Sequence, residues 1–218
     1  MAPDRADLAP APDPATAPAP DPARTGLARL LVLTDRHASA RPLADVVRAA
    51  VECGARAVVL REKDLPAADR LRPADEVRAV LGDGLLVLAG TALPGEALHL
   101  SAADAVPAVR PHLLGRSCHD AGEVARAAQQ GCDWASVSPI WTTASKPGYG
   151  PALGVPGLAA LLPGAPPAYA LGGVTDPAGA RACRQAGGYG VAAVGAVLRA
   201  DRPEQLVAGL LHALGESG

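Results

Sequence analysis

Gly54-Ala55-Arg56-Ala57-Val58-Val59-Leu60 runs straight into Arg61-Glu62-Lys63, and the same order of glycine then apolar run returns at Gly131-Cys132-Asp133-Trp134-Ala135-Ser136-Val137 and Gly188-Tyr189-Gly190-Val191-Ala192-Ala193-Val194. Each glycine is placed to close a helix in the left-handed position before the chain enters a strand. The runs lack the polar alternation of a half-exposed strand, so they read as parallel sheet covered on both faces, by an inner core and an outer layer of helices. Eight runs fall near 29–34, 57–60, 85–88, 96–100, 113–117, 133–138, 168–171 and 190–194. With helices between most of them, the expected fold is a (β/α)8 TIM barrel.

The flanking segments agree. Leu43, Val46, Val47, Ala50 and Val51 form a helical stripe, and Leu206, Val207, Leu210, Leu211 and Leu214 repeat it at the end of the chain. Asp120 to Glu123 and Asp201 to Glu204 both have the D-x-x-E form of a helix start. Only seven residues, Ala89 to Gly95, separate strands three and four, and Pro107 and Pro111 interrupt the next link, so the barrel is trimmed around strands 3 to 5. Leu93 and Leu98 on that flank leave room for a second copy, a possible homo-oligomer. Residues 1–26, with Ala9-Pro10-Ala11-Pro12 and Ala17-Pro18-Ala19-Pro20, read as a disordered tail ahead of one domain, 27–218.

Apolar residues make up 49% of the 218 but aromatics only 2%, with no Phe, so the core is expected to be Ala, Val and Leu. A formal charge of −2 gives no invitation to nucleic acid. No apolar stretch reaches the roughly 18 residues of a membrane span, and the tail has no secretory pattern, so the expected location is cytoplasmic. Cys53, Cys118, Cys132 and Cys183 form no C-x-x-C pair and read as reduced filler, with Cys118 the one beside the candidate site.

In such barrels the chemistry comes from the loops after the strands, and phosphate is commonly held after strands seven and eight. Gly172-Gly173 and Gly195-Ala196 follow those strands and could offer bare N–H groups to an anion; tight chain reversal explains the glycines equally well. Arg61 and Lys63 at the end of strand two suit phosphate oxygens, or else form a solvated cluster. His119, at the end of strand five, could carry a proton or simply cap a helix. Asp104 after strand four could hold a hard cation. The long polar insertion after strand six, with Thr143, Ser145 and Lys146, suggests a lid.

Taken in order, several segments resemble the family of thiamine phosphate synthases and their relative, the thiazole tautomerase. These are Val32-Leu33-Thr34-Asp35, Leu60-Arg61-Glu62-Lys63, His99-Leu100 with Asp104, Gly115-Arg116-Ser117-Cys118-His119, Ser138 to Lys146, Ala170-Leu171-Gly172-Gly173-Val174 and Gly190 to Val194. The resemblance implies a transferase that joins hydroxymethylpyrimidine diphosphate to a thiazole phosphate. It implies that Arg61, Lys63 and Lys146 clamp the diphosphate, that Thr143 and Ser145 belong to the lid, and that Gly172, Gly173, Gly195 and Ala196 hold the thiazole phosphate. It also implies that Ser117 binds substrate and that Asp104 is one ligand of Mg2+. The chain departs from the family at Val59, where glutamine is usual, and at Ala89-Gly90, where an Asn-Asp pair supplies the second metal ligand. Two alternatives follow from those losses: a thiazole tautomerase with His119 as acid and base, and a non-catalytic binder of phosphate ligands.

Overall fold

A computed structural model of the chain describes residues 26–39, 41–90, 97–142 and 150–216. Eight parallel strands close into a barrel in sequence order. They are β1 (Leu30–Leu33), β2 (Ala57–Leu60), β3 (Leu85–Ala89), β4 (Ala97–Leu100), β5 (Leu114–Cys118), β6 (Trp134–Val137), β7 (Ala168–Leu171) and β8 (Gly190–Ala193). Every end lies within one residue of the predicted strand. The helices are α1 (Leu43–Glu52), α2 (Leu71–Leu81), α3 (Ala121–Gln129), α4 (Gly154–Leu161), α5 (Pro177–Gln185), α6 (Gly195–Leu198) and α7 (Pro203–Leu214).

Burial on both faces is what the uniform runs required: β1, β2, β4, β6 and β8 are buried at every position. Outward residues such as Leu30, Val32, Val58 and Leu60 join the helix stripes in one cluster that includes Val46, Val47, Val207 and Leu211. Inward residues such as Leu31, Leu33, Val59, Val87 and Ala192 form a second cluster, the barrel interior. Small residues alone do not fill that interior, contrary to expectation. Trp134 and Tyr169, both fully buried, plug it. Gly115 makes room for the indole, since a Cβ there would sit 2.0 Å from Trp134 Cε2.

The trimmed flank is present. No helix lies between β4 and β5, and β3 is joined to β4 by a link too short for one. Leu98, read as lying near the room left for a second copy, is buried in the outer cluster, and Leu93 lies outside the described residues. Exposed apolar side chains on that flank are Val106 and Val109 instead.

Two local readings need correction. The left-handed glycine before β8 is Gly187, at φ 96°, not Gly188, whose Cβ would press on the Cys183 carbonyl at 2.9 Å. Asp201 does not cap α7. Pro203 sets the first turn and leaves Arg202 at the N-cap, with no side-chain bond. Asp120 does cap α3, accepting from Glu123 N at 2.8 Å. Among the described residues, no helix is long and apolar enough to cross a membrane.

Candidate active site

All eight strands point their C-terminal ends at one cavity of about 700 Å³. Arg61, Lys63, Asp104, His119, Gly172, Gly173, Gly195, Ala196 and Ser117 all line it. Thr143, Ser145 and Lys146 lie outside the described residues.

The β2 rim is built by alternation. Glu62 is 2% exposed, accepting from Thr34 Oγ1 at 2.7 Å and from Arg36 N at 3.1 Å, which fastens β2 to the end of β1. Thr34 Oγ1 in turn accepts from Arg61 N at 2.9 Å. With the acid turned into the wall, its two neighbours face the cavity. The acid of the charged triplet is therefore structural, and both cations line the cavity. Arg61 Nη1 approaches Asp35 Oδ2 at 3.6 Å across the mouth. Burial, then the Arg61 charge, lowers the Lys63 pKa, while Asp104 acts in the opposite sense. Arg70 straps this rim to β3, donating to the carbonyls of Leu65 and Ala89 at 2.9 Å.

The β4 loop is fixed from below. Arg116, 1% exposed on the outer face of β5, donates to the carbonyls of Ser101 at 2.8 Å, Ala102 at 3.1 Å and Asp104 at 2.9 Å. These bonds replace the missing helix as the support of the loop. Asp104 Oδ2 accepts from Ser101 N at 2.7 Å. Burial would raise its pKa, but hydrogen bonding from Ser101 and then the Lys63 and Arg116 charges hold the carboxyl below its usual range.

On the cavity floor His99 Nε2 lies 3.1 Å from Ser117 Oγ and 3.2 Å from Ser136 Oγ, with its ring stacked on Trp134 at 5.9 Å. Burial, then Lys63 and Arg116, pushes the imidazole down to about 4, so it is neutral at physiological pH. Nδ1 of His99 and Nε1 of Trp134 are buried without a protein partner. His119, on the wall, is held by Glu123, whose Oε2 accepts from His119 N at 2.7 Å and lies 2.8 Å from His119 Nδ1. The carboxylate expected only to finish a capping box thus orients a histidine.

Gly172 and Gly173 have φ of 92° and 72°, a region that L side chains rarely adopt. A Cβ on Gly173 would come 2.5 Å from Trp141 Cβ. Chain reversal and close packing therefore both require glycine, and the same geometry leaves bare backbone facing the cavity. Cys118 is buried beneath the site with its thiol pushed up to about 12 by burial and then Glu123, which suits filler and not a nucleophile.

A divalent cation finds little here. Asp104 is one carboxylate already engaged by Ser101 N, while Ala89 and Gly90 present no donor side chain where a second ligand would stand. Among the described residues no group of three His, Cys, Asp or Glu could hold a metal. The described residues do not fit a magnesium site.

Spacing did not single out His99, Asp35, Arg116 or Arg199 as members of the site. The first three lie inside quoted motifs, but their roles depend on cross-strand register. Arg199 carried no signal at all.

Cations on the β2 rim and glycine backbone across the same mouth put the groups that suit an anion on the C-terminal rim of a (β/α)8 barrel. The family model for thiamine monophosphate synthase matches residues 30–197. A relative from Geobacter sulfurreducens is 36% identical over 200 residues, spanning 85% of this chain and 93% of its own. The thiamine-phosphate synthase of Roseiflexus castenholzii is 33% identical over 217 residues, 88% of this chain and 91% of that protein. The fold matches that of a thiamine phosphate pyrophosphorylase from Pyrococcus furiosus with a TM-score of 0.73 at 23% identity, covering 86% of this chain and 95% of that one. The chain belongs to the thiamine monophosphate synthase family.

Proposed function

We propose that the protein is a cytoplasmic transferase that condenses hydroxymethylpyrimidine diphosphate with a thiazole phosphate, releasing diphosphate and giving thiamine phosphate. One observation carries the reading: a single cavity places Arg61 and Lys63 on one side and the glycine turns Gly172-Gly173 and Gly195-Ala196 on another, so one mouth can hold two anions. The bond between the pyrimidine methylene carbon and the diphosphate oxygen breaks first, with its electron pair leaving on the diphosphate. The thiazole nitrogen lone pair then forms the new carbon–nitrogen bond. Arg61 and Lys63 face the departing charge in a partly dehydrated site, where preorganised cations stabilise it far more than in water. The floor formed by His99, Ser117 and Ser136 stays uncharged, and so does not compete with the anions for those cations. The family resemblance implies magnesium, which the described residues do not fit.

A second reading has its own observation. His119, oriented by Glu123, lines the cavity and could shuttle a proton on a bound thiazole phosphate, the tautomerase reaction.

Purified protein supplied with both substrates, with and without magnesium, and followed by mass spectrometry separates the two. Thiamine phosphate is the expected product. Thiazole isomerisation without it, lost in His119→Ala, would replace the synthase by the tautomerase. Phosphate-ligand binding with neither reaction would leave a binder.

A further inference from the structure

We propose that Arg199 is the specificity residue for the phosphorylated thiazole, reaching its phosphate over the bare Cα of Gly195. This rests on the synthase reading for the identity of the ligand, though not for the geometry. Arg199 follows the short helix α6 and lines the same cavity as Gly172, Gly173 and Gly195. Its guanidinium folds back over Gly195, where a Cβ would lie 2.1 Å from Nη2 and 2.5 Å from both Cζ and Nη1. Any side chain at 195 would therefore displace the guanidinium, which gives Gly195 a reason beyond backbone geometry: it has no positive φ.

The cation also lacks a counter-charge. Among the described residues the Arg199 guanidinium has neither hydrogen bond nor ion pair, only its backbone N–H being bonded, to the Gly195 carbonyl, whereas Asp35 pairs with Arg61 and Asp104 is held by Ser101. An arginine on the cavity rim among the described residues, with no carboxylate of its own, matches a phosphate dianion, to which its planar fork can donate twice. The β2 cations serve the other anion. The two anionic groups are thus sorted by rim, and the unphosphorylated thiazole alcohol, with no charge for Arg199, is the ligand that this arrangement rejects.

The experiment is calorimetric titration of thiazole phosphate, thiazole alcohol and pyrimidine diphosphate into wild-type protein, Arg199→Ala, Arg199→Lys, Gly195→Ala and the Gly195→Ala/Arg199→Ala double variant, with turnover measured alongside. Arg199→Ala is expected to bind thiazole phosphate about tenfold more weakly, as loss of one charge-assisted bond from an exposed side chain implies, with pyrimidine diphosphate changed by less than about twofold. Arg199→Lys should recover most of the loss. Gly195→Ala should weaken thiazole phosphate in the wild-type background and add nothing once Arg199 is gone. Unchanged binding in Arg199→Ala, a loss falling on pyrimidine diphosphate instead, or an equal effect of Gly195→Ala in both backgrounds would each overturn the assignment. Wild-type protein that binds thiazole phosphate through Arg199 but makes no thiamine phosphate would sink the synthase reading and leave Arg199 standing. No binding of thiazole phosphate to wild type would remove both.

Discussion

The same eight strands finish the two ends of this barrel in opposite ways. At the closed end polar atoms satisfy one another. Tyr169 Oη donates to the Ala28 carbonyl at 2.5 Å, Tyr189 Oη donates to Leu27 O, Arg29 N donates to Glu216 Oε1 at 2.7 Å, and the Arg29 guanidinium lies 5.3 Å over the Tyr189 ring. At the open end Arg61 and Lys63 meet at a cavity, and Nδ1 of buried His99 is left without a partner. A buried polar atom left open beside a cavity costs folding free energy that a ligand there can recover, whereas the other unpartnered buried atoms, Gln130 Oε1, Trp134 Nε1 and Arg116 Nε, are spread along the barrel. The closed end should then govern stability alone, and the open end binding and rate.

The sharpest way to break that division is Lys63→Ala. Removing a preorganised cation from the place where diphosphate charge develops is expected to lower turnover roughly a thousandfold, at the upper end for one such donor. Melting temperature should hold within about 2 °C, because Lys63 fills no core. Stopped assays on the purified variant together with a thermal melt read both quantities. An unfolded variant, or one with full turnover, would remove Lys63 from the open-end machinery.

The next effect lies at the boundary between the two ends. His99 is held at about 4, well under the usual histidine value near 6.5. The folded chain therefore binds fewer protons than the unfolded chain between those two pH values. Stability is complete above pH 6.5 and declines as pH falls toward 4, by about 3 kcal/mol in total. Urea unfolding of wild type and His99→Asn at several pH values should give a steeper decline for wild type; parallel curves would mean that the imidazole is not kept neutral by its site.

Much of the closed architecture could be read in the chain because it depends on local pattern. Val58, Leu60, Val191 and Ala193 pack outward while Val59 and Ala192 pack inward, so the runs are apolar at every residue and their ends are easy to find. The site was legible where side-chain alternation decides direction, as with Arg61 and Lys63 around buried Glu62. It was illegible where partners meet only through register. Ser117 pairs with Ser136 across β5 and β6, and Gly115 with Trp134, and nothing within either strand announces the other. Arg116 carried no role of its own within the Gly115–His119 segment, yet it faces outward and supports the Asp104 loop. Glu123 looked like a cap, and its helix start does use Asp120, but its carboxylate is committed to His119.

The smallest expected effects are the most discriminating for the closed end, because two tyrosines make the same bond there in different surroundings. Tyr169 is fully buried and Tyr189 only half-buried; their rings meet edge to face at 5.3 Å, and they donate to the adjacent carbonyls of Ala28 and Leu27. Tyr169→Phe keeps the ring and strands a carbonyl where water has poor access, so a loss of about 1.5 kcal/mol is expected. That corresponds to roughly 3–6 °C in melting temperature for a chain of this size. Tyr189→Phe should cost about 0.5 kcal/mol, since water can reach the freed carbonyl. Neither should alter turnover per folded molecule or its KM for either substrate. Equal losses from the two substitutions would show that burial does not set the cost, whereas a change in KM from either would show that the closed end reaches the site after all.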